Sequence, residues 1–180
     1  MEFVSINFIF ALAVLVVSVI VHEVSHGYVA YILGDPTAKL AGRLTLNPIK
    51  HVDPFGSILV PLFLALLPGG IVFGWAKPVP YNPYNLKAGR HGPAYVAFAG
   101  PASNLLLALI FGLILRFGLL SSFLGASTSP ILSTIVLVNI MLALLNLLPI
   151  PPLDGSTIIF SFLTPSSKVK NFFYRYQILF

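Results

Sequence analysis

Residues 19–28 read VIVHEVSHGY, two histidines and a glutamate inside an apolar run that extends from residue 3 to residue 33. A helix needs about 20 predominantly apolar residues to cross a bilayer, and this run supplies them. Apart from Glu2 no charge precedes it, and no small-residue cleavage pattern follows it, so it reads as a retained membrane helix and not a signal peptide. The polar triplet then needs an explanation, because each ionisable group near the bilayer centre costs about 2.5–3.5 kcal/mol on insertion scales.

The rest of the chain has the same character. Of its 180 residues 57% are hydrophobic and 8% charged, with a mean hydropathy of +0.95, against about 25% charged in soluble domains. Two further runs, 94–115 and 131–148, are long enough to span, and a fourth, 56–73, is less regular. The fold class expected is an all-α polytopic membrane protein in one domain over residues 1–180. It has three core transmembrane helices (about 3–33, 94–116 and 131–148), a re-entrant or additional spanning segment at 56–73, and short extended segments. Basic residues mark cytoplasmic loops. Segment 34–55 holds Lys39, Arg43 and Lys50; segment 74–92 holds Lys77, Lys87 and Arg90; the tail holds Lys168, Lys170 and Arg175, and loop 119–130 has no charge. Helix 1 therefore runs inward, 94–116 outward and 131–148 inward, so 56–73 enters and leaves on one side. Pro61 and the Pro68-Gly69-Gly70 turn suit such a hairpin, which is tolerated only where protein covers its backbone. The net charge of +5 is scattered through loops, which argues orientation and not nucleic-acid binding. Cysteine is absent, which excludes disulfides and thiolate metal sites.

On a helix His22 and His26 project from one face a turn apart, with Glu23 beside them. This is the HExxH pattern, in which two histidines hold zinc and the glutamate activates water. The alternative, histidines bonded to backbone and Glu23 paired with a cation, carries much less weight because no lysine or arginine lies in residues 1–36. Catalytic zinc takes three protein ligands. Glu2 and Glu23 are the only glutamates, which excludes a downstream glutamate ligand, and Val29 and Ile32 exclude the extended HExxHxxGxxH form. Asp35, His51, Asp53, His91 and Asp154 remain. Asp35 in Gly-Asp-Pro reads as a turn residue, His51 and Asp53 in NPIKHVDP are second choices, and His91 reads as a surface residue. Asp154 is the strongest candidate. In NLLPIPPLDG, residues 146–155, three prolines break the helix and make 149–156 an unwound loop at the membrane edge, free to turn a carboxylate toward a metal on a neighbouring helix.

HEVSH on a first membrane helix, GPASN at 100–104 opening a later one, and NLLPIPPLDG after a third resemble the site-2 protease family, peptidase family M50, in its short prokaryotic form. The likeness covers nearly the whole chain. It implies one Zn2+ per chain held by His22, His26 and Asp154, with Glu23 as general base and acid and Asn146 near the reacting carbonyl. It implies hydrolysis of peptide bonds in transmembrane protein or peptide substrates within a multi-pass cell-membrane enzyme whose active site faces the cytoplasm. Two departures are the lack of a PDZ or CBS domain and a tail, KVKNFFYRYQILF, that stops as a further amphipathic or membrane helix begins, so the sequence reads as shortened.

An alternative role for Asn146 is to cap the broken helix, and Asn104 reads as an interhelical hydrogen bond beside Gly100, Ala102 and Ser103. GWAKPVPYNP at 74–83 suggests an extended edge that pairs with an unwound substrate, or an interfacial loop anchored by Trp75, Tyr81 and Tyr84. AKLAGRLTLNP at 38–48 alternates like a short strand. The tail from 157 is expected at the lipid surface. Two rival classes are a metal transporter, which has no need of Glu23, and an inactive membrane scaffold. Oligomeric state is not legible.

Overall fold

The computed structural model describes residues 6–60, 63, 76–119, 128–163 and 167. Its architecture is helical, with no strand among the described residues: α1 (Ile6–Ile32), α2 (Thr37–Leu40), α3 (Gly92–Arg116), α4 (Thr128–Asn146) and α5 (Asp154–Phe162), joined by short 3-10 turns and one π turn. Three of these, over Ile9–Ile32, Gly89–Arg116 and Thr128–Asn146, are long and apolar enough to cross a membrane. The question of whether 56–73 re-enters lies largely outside the described residues, and only its start, a π turn over Pro54–Leu59, is seen.

Helix α3 packs against both α4 and α1, and α5 lies on α3. Its contacts with α1 run in opposite order, Val96 to His26 and Asn104 to His22, so the two are antiparallel. Residues Gly92, Val96, Gly100, Asn104 and Ala108, four apart, are all buried on one α3 face. Their mostly small side chains let α1 approach closely.

Helix ends follow from local chemistry. At the end of α1, Gly34 has φ +104°, Asp35 N–H donates to Ala30 O and Gly34 N–H to Tyr31 O. This is a Schellman cap, which needs the left-handed conformation glycine adopts freely. Gly118 ends α3 in the same way. The alternation of 38–48 does not make a strand: the Asp35 carboxylate accepts from the backbone and hydroxyl of Thr37, which starts a helical turn, and Gly42 at φ +63° then reverses the chain. Residues 76–82 form neither helix nor strand, with Asn82 extended, and the first two residues of the expected 74–83 edge lie outside the described residues. Past α4 the proline-rich stretch is shorter than 149–156, because Asp154 opens α5 and the expected tail begins inside that helix.

Asp35 is fully buried and ties α1 to the loop before α3, accepting also from Asn82 N–H at 2.6 Å and Asn85 Nδ2 at 2.9 Å. Burial alone would raise its pKa, but hydrogen bonds from Thr37, Asn85 and Asn82 outweigh it and hold the carboxyl below its usual range. Its stabilisation is therefore present in full above the unfolded value of about 3.9 and lost as the pH falls through the lower folded one. Asp35→Ala should cost roughly 1–3 kcal/mol per stranded buried donor. A lower thermal midpoint at pH 7, with the deficit shrinking in acid, is the expected result; a deficit independent of pH would contradict it.

Candidate active site

The polar triplet lies in the second half of α1. His22 and His26 face α3, with ring centroids 4.6 Å apart and planes at 86°. Each ring is held from behind: His22 Nδ1 lies 2.6 Å from Asn104 Oδ1, and His26 Nδ1 lies 2.7 Å from Val96 O. A backbone carbonyl only accepts, so His26 Nδ1 carries the proton and Nε2 a lone pair. The Nε2 atoms of His22 and His26 point instead at Asp154 Oδ2, at 3.1 and 3.3 Å. Asp154 reaches them from the first turn of α5. That approach depends on Gly155, where a methyl would overlap the carbonyls of Leu147 and Leu148.

Among the described residues these three form the one group able to hold a metal, their ligand atoms all lying within 4.8 Å of one another. Two imidazole lone pairs and a carboxylate oxygen converging on one point repel unless a cation sits among them. Nitrogen and oxygen donors in that number, with both imidazoles anchored through their other nitrogen, fit zinc with a position left open. The space is kept by Gly100, where a methyl would lie 2.5 Å from both Nε2 atoms.

A cavity of about 280 Å³ opens at this point, lined by His22, Glu23, His26, Pro78, Val79, Tyr81, Asn146, Asp154 and Thr157 among others. Glu23 sits at its wall with Oε2 accepting from Val79 N–H at 2.8 Å, so a backbone amide fixes the carboxylate, which pairs with no lysine or arginine among the described residues. Segment 76–82 carries that amide. Arg43 holds the segment in turn, donating to the carbonyls of Lys50, Lys77 and Pro78, while Lys77 N–H donates to His51 O. Asn146, at the end of α4, donates to Leu142 O at 2.9 Å and lines the cavity.

The other acidic and histidine candidates lie elsewhere. Asp35 ties loops together, Asp53 caps the turn at Pro54–Leu59, His51 is buried against Thr45 O, and His91 stacks near Phe162. Tyr81 is not an interfacial anchor: it packs against Ala30, Leu86 and Val96 and lines the cavity. Burial, and then the charge of Asp154, push its phenol above its usual pKa, so it stays a donor. Spacing in the sequence could not find Tyr81, since its place depends on how 76–82 folds over α1. Tyr84 is exposed, and Trp75 lies outside the described residues.

The profile of Peptidase family M50 matches residues 10–127 and 121–180. The chain belongs to this family. It is 46% identical over 161 residues to YwhC of Bacillus subtilis, which bears a zinc metalloprotease name, covering 87% of this chain and 70% of that one. It is 33% identical over 164 residues to Rip2 of Mycolicibacterium smegmatis and 32% over 162 residues to Rip2 of Mycobacterium tuberculosis, which bear the same kind of name. These matches cover 89% of this chain and 60% of each relative. No solved structure matches the chain. The family makes the chain a metalloprotease and a polytopic membrane protein, in accord with the resemblance carried by HEVSH, GPASN and NLLPIPPLDG.

Proposed function

We propose that this metalloprotease, with zinc as its cofactor, hydrolyses peptide bonds of membrane-spanning substrates within the bilayer. The observation that supports this reading is the meeting of His22, His26 and Asp154 beside Glu23 at a cavity well inside a membrane-length helix. His26 lies six residues and His22 ten residues before the end of α1, roughly 9 and 15 Å along the axis. The loops nearest that end carry Lys39, Arg43, Lys50, Lys77, Lys87 and Arg90, which argues for a site toward the cytoplasmic face of a multi-pass cell-membrane protein.

His22, His26 and Asp154 would hold the zinc, offering two imidazole Nε2 atoms and a carboxylate. When bound, zinc supplies Lewis acidity, polarising a carbonyl oxygen and acidifying water to near neutral pH. Glu23, fixed by the Val79 amide, takes a proton from the attacking water and returns it to the departing amine. Asn146 keeps one amide hydrogen on Leu142 O and offers the other to the oxygen of the scissile carbonyl as charge builds there. Tyr81 offers a second donor at the same cavity. Residues 1–180 serve as one catalytic unit in this reading, since α1, α4, α5 and the 76–82 segment each contribute a wall of the cavity.

The purified full chain should carry about one zinc and, reconstituted in liposomes, cut a single-span substrate. Chelation should stop cleavage and added zinc should restore it. An intact substrate under these conditions, or zinc flux across sealed vesicles, would replace this reading with a scaffold or a transporter.

A further inference from the structure

Behind His22, three uncharged polar side chains are buried where α1, α3 and α4 meet: Ser18, Asn104 and Asn139, exposed 3%, 0% and 0%. None lines the cavity. An amide at zero exposure inside an apolar bundle is costly unless its atoms are paired. Asn104 Nδ2 donates to Asn139 Oδ1 at 2.9 Å and to Ser18 O at 3.3 Å; Asn139 Nδ2 donates to Ser18 Oγ at 3.0 Å and to Ile135 O at 2.9 Å.

The direction of every bond in this chain is forced. The carbonyls of Ile135 and Ser18 can only accept. Flipping the Asn139 amide would set its oxygen against Ile135 O, and flipping Asn104 would set its oxygen against Ser18 O. With Asn139 fixed by α4's own backbone, its Oδ1 fixes the Asn104 amide, whose Oδ1 must then face His22 Nδ1. That places the His22 proton on Nδ1 and the lone pair on Nε2, the atom aimed at Asp154. In the opposite polarity Nε2 would carry a hydrogen pointing into the site and could bind no metal.

We propose that Asn139 is a positioning residue for the metal centre: through Asn104 it relays the polarity of the α4 backbone to His22 and keeps Nε2 ready for zinc. This rests on the reading of His22 as a ligand. Leucine at 139 removes the shorter of the two bonds that orient Asn104 and leaves Ser18 O at 3.3 Å as its remaining acceptor, so the amide is held less firmly and part of the population holds the wrong tautomer of His22.

The test is zinc affinity of the purified full chain, by competition with a chelating dye, together with the visible spectrum of the Co2+-loaded protein. Asn139→Leu should weaken zinc binding by about 10–100-fold and alter the Co2+ bands. If that variant fails to fold, Asn139→Ala replaces it, since a methyl group offers Asn104 no acceptor and perturbs the packing differently. Leu132→Ala, a buried change on the same helix, should lower thermal stability and leave zinc affinity and spectrum unchanged. The double variant with Asn104→Leu should lose little beyond Asn104→Leu alone. Wild-type affinity and spectrum in the Asn139 variant, or losses that simply add, overturn the relay. His22→Ala separates the two readings: if it binds zinc like the wild type, His22 is no ligand; if it loses zinc while Asn139→Leu does not, the relay alone is wrong.

Discussion

Replacing Glu23 by glutamine should lower kcat for peptide hydrolysis by about 10²–10⁴-fold, the usual contribution of a positioned general base, while the protein keeps its zinc. The geometry separates the two effects. Glu23 Oε2 is directed at the Val79 amide at 2.8 Å, and the group able to hold a metal is made by His22, His26 and Asp154, so the substitution leaves that donor set intact. Glutamine has nearly the same shape and can still accept from Val79, but it cannot take up a proton. Single-turnover cleavage of a reconstituted substrate, with zinc content measured on the same preparation, checks this. Cleavage at the wild-type rate would remove Glu23 from the chemistry, and loss of zinc would make it a ligand instead.

Gly100→Ala should be nearly as damaging by a different route. The added methyl would sit 2.5 Å from Nε2 of both His22 and His26, closer than carbon and nitrogen tolerate. Both atoms are tethered behind, at Asn104 and Val96, so the rings cannot simply turn away. Either α3 moves off α1 or the lone pairs lose their common target. Zinc affinity should fall by about 10–100-fold or more, with activity following. Gly112→Ala is the control: on the same helix its methyl meets nothing nearer than Val136 at 3.9 Å, and alanine is the better helix former by about 1 kcal/mol. Equal zinc affinity in the Gly100 variant and the control would mean that α1 and α3 are not packed so closely in the bilayer.

Much of this was legible in the sequence. The three membrane-length helices follow from runs of apolar residues, since lipid leaves the backbone no hydrogen-bonding partner outside the helix. Histidines four apart share a face of any helix, so the pairing of His22 with His26 was fixed by spacing alone. The proline stretch before Asp154 marked where the last long helix ends, although α5 starts three residues sooner than an unwound loop to 156 would allow. Alternation misled at 38–48, where capping by Asp35 and a left-handed Gly42 made a local turn stronger than a strand with no neighbour to pair with.

Other features depend on contacts between residues far apart in the chain, for which spacing carries no signal. Asn139 stands among leucines and valines in α4 with nothing in its neighbours to mark it, and Tyr81 reads as one more interfacial aromatic. Composition and periodicity determined that the chain enters lipid and that its first helix presents two imidazoles and a carboxylate, because those properties are set by each residue and its immediate neighbours. Tertiary structure alone brought Asp154 across 132 positions to His22, set Val79 against Glu23, and aligned Asn139, Asn104 and His22. Those arrangements hold because a buried lone pair or amide hydrogen is costly until another helix supplies its partner.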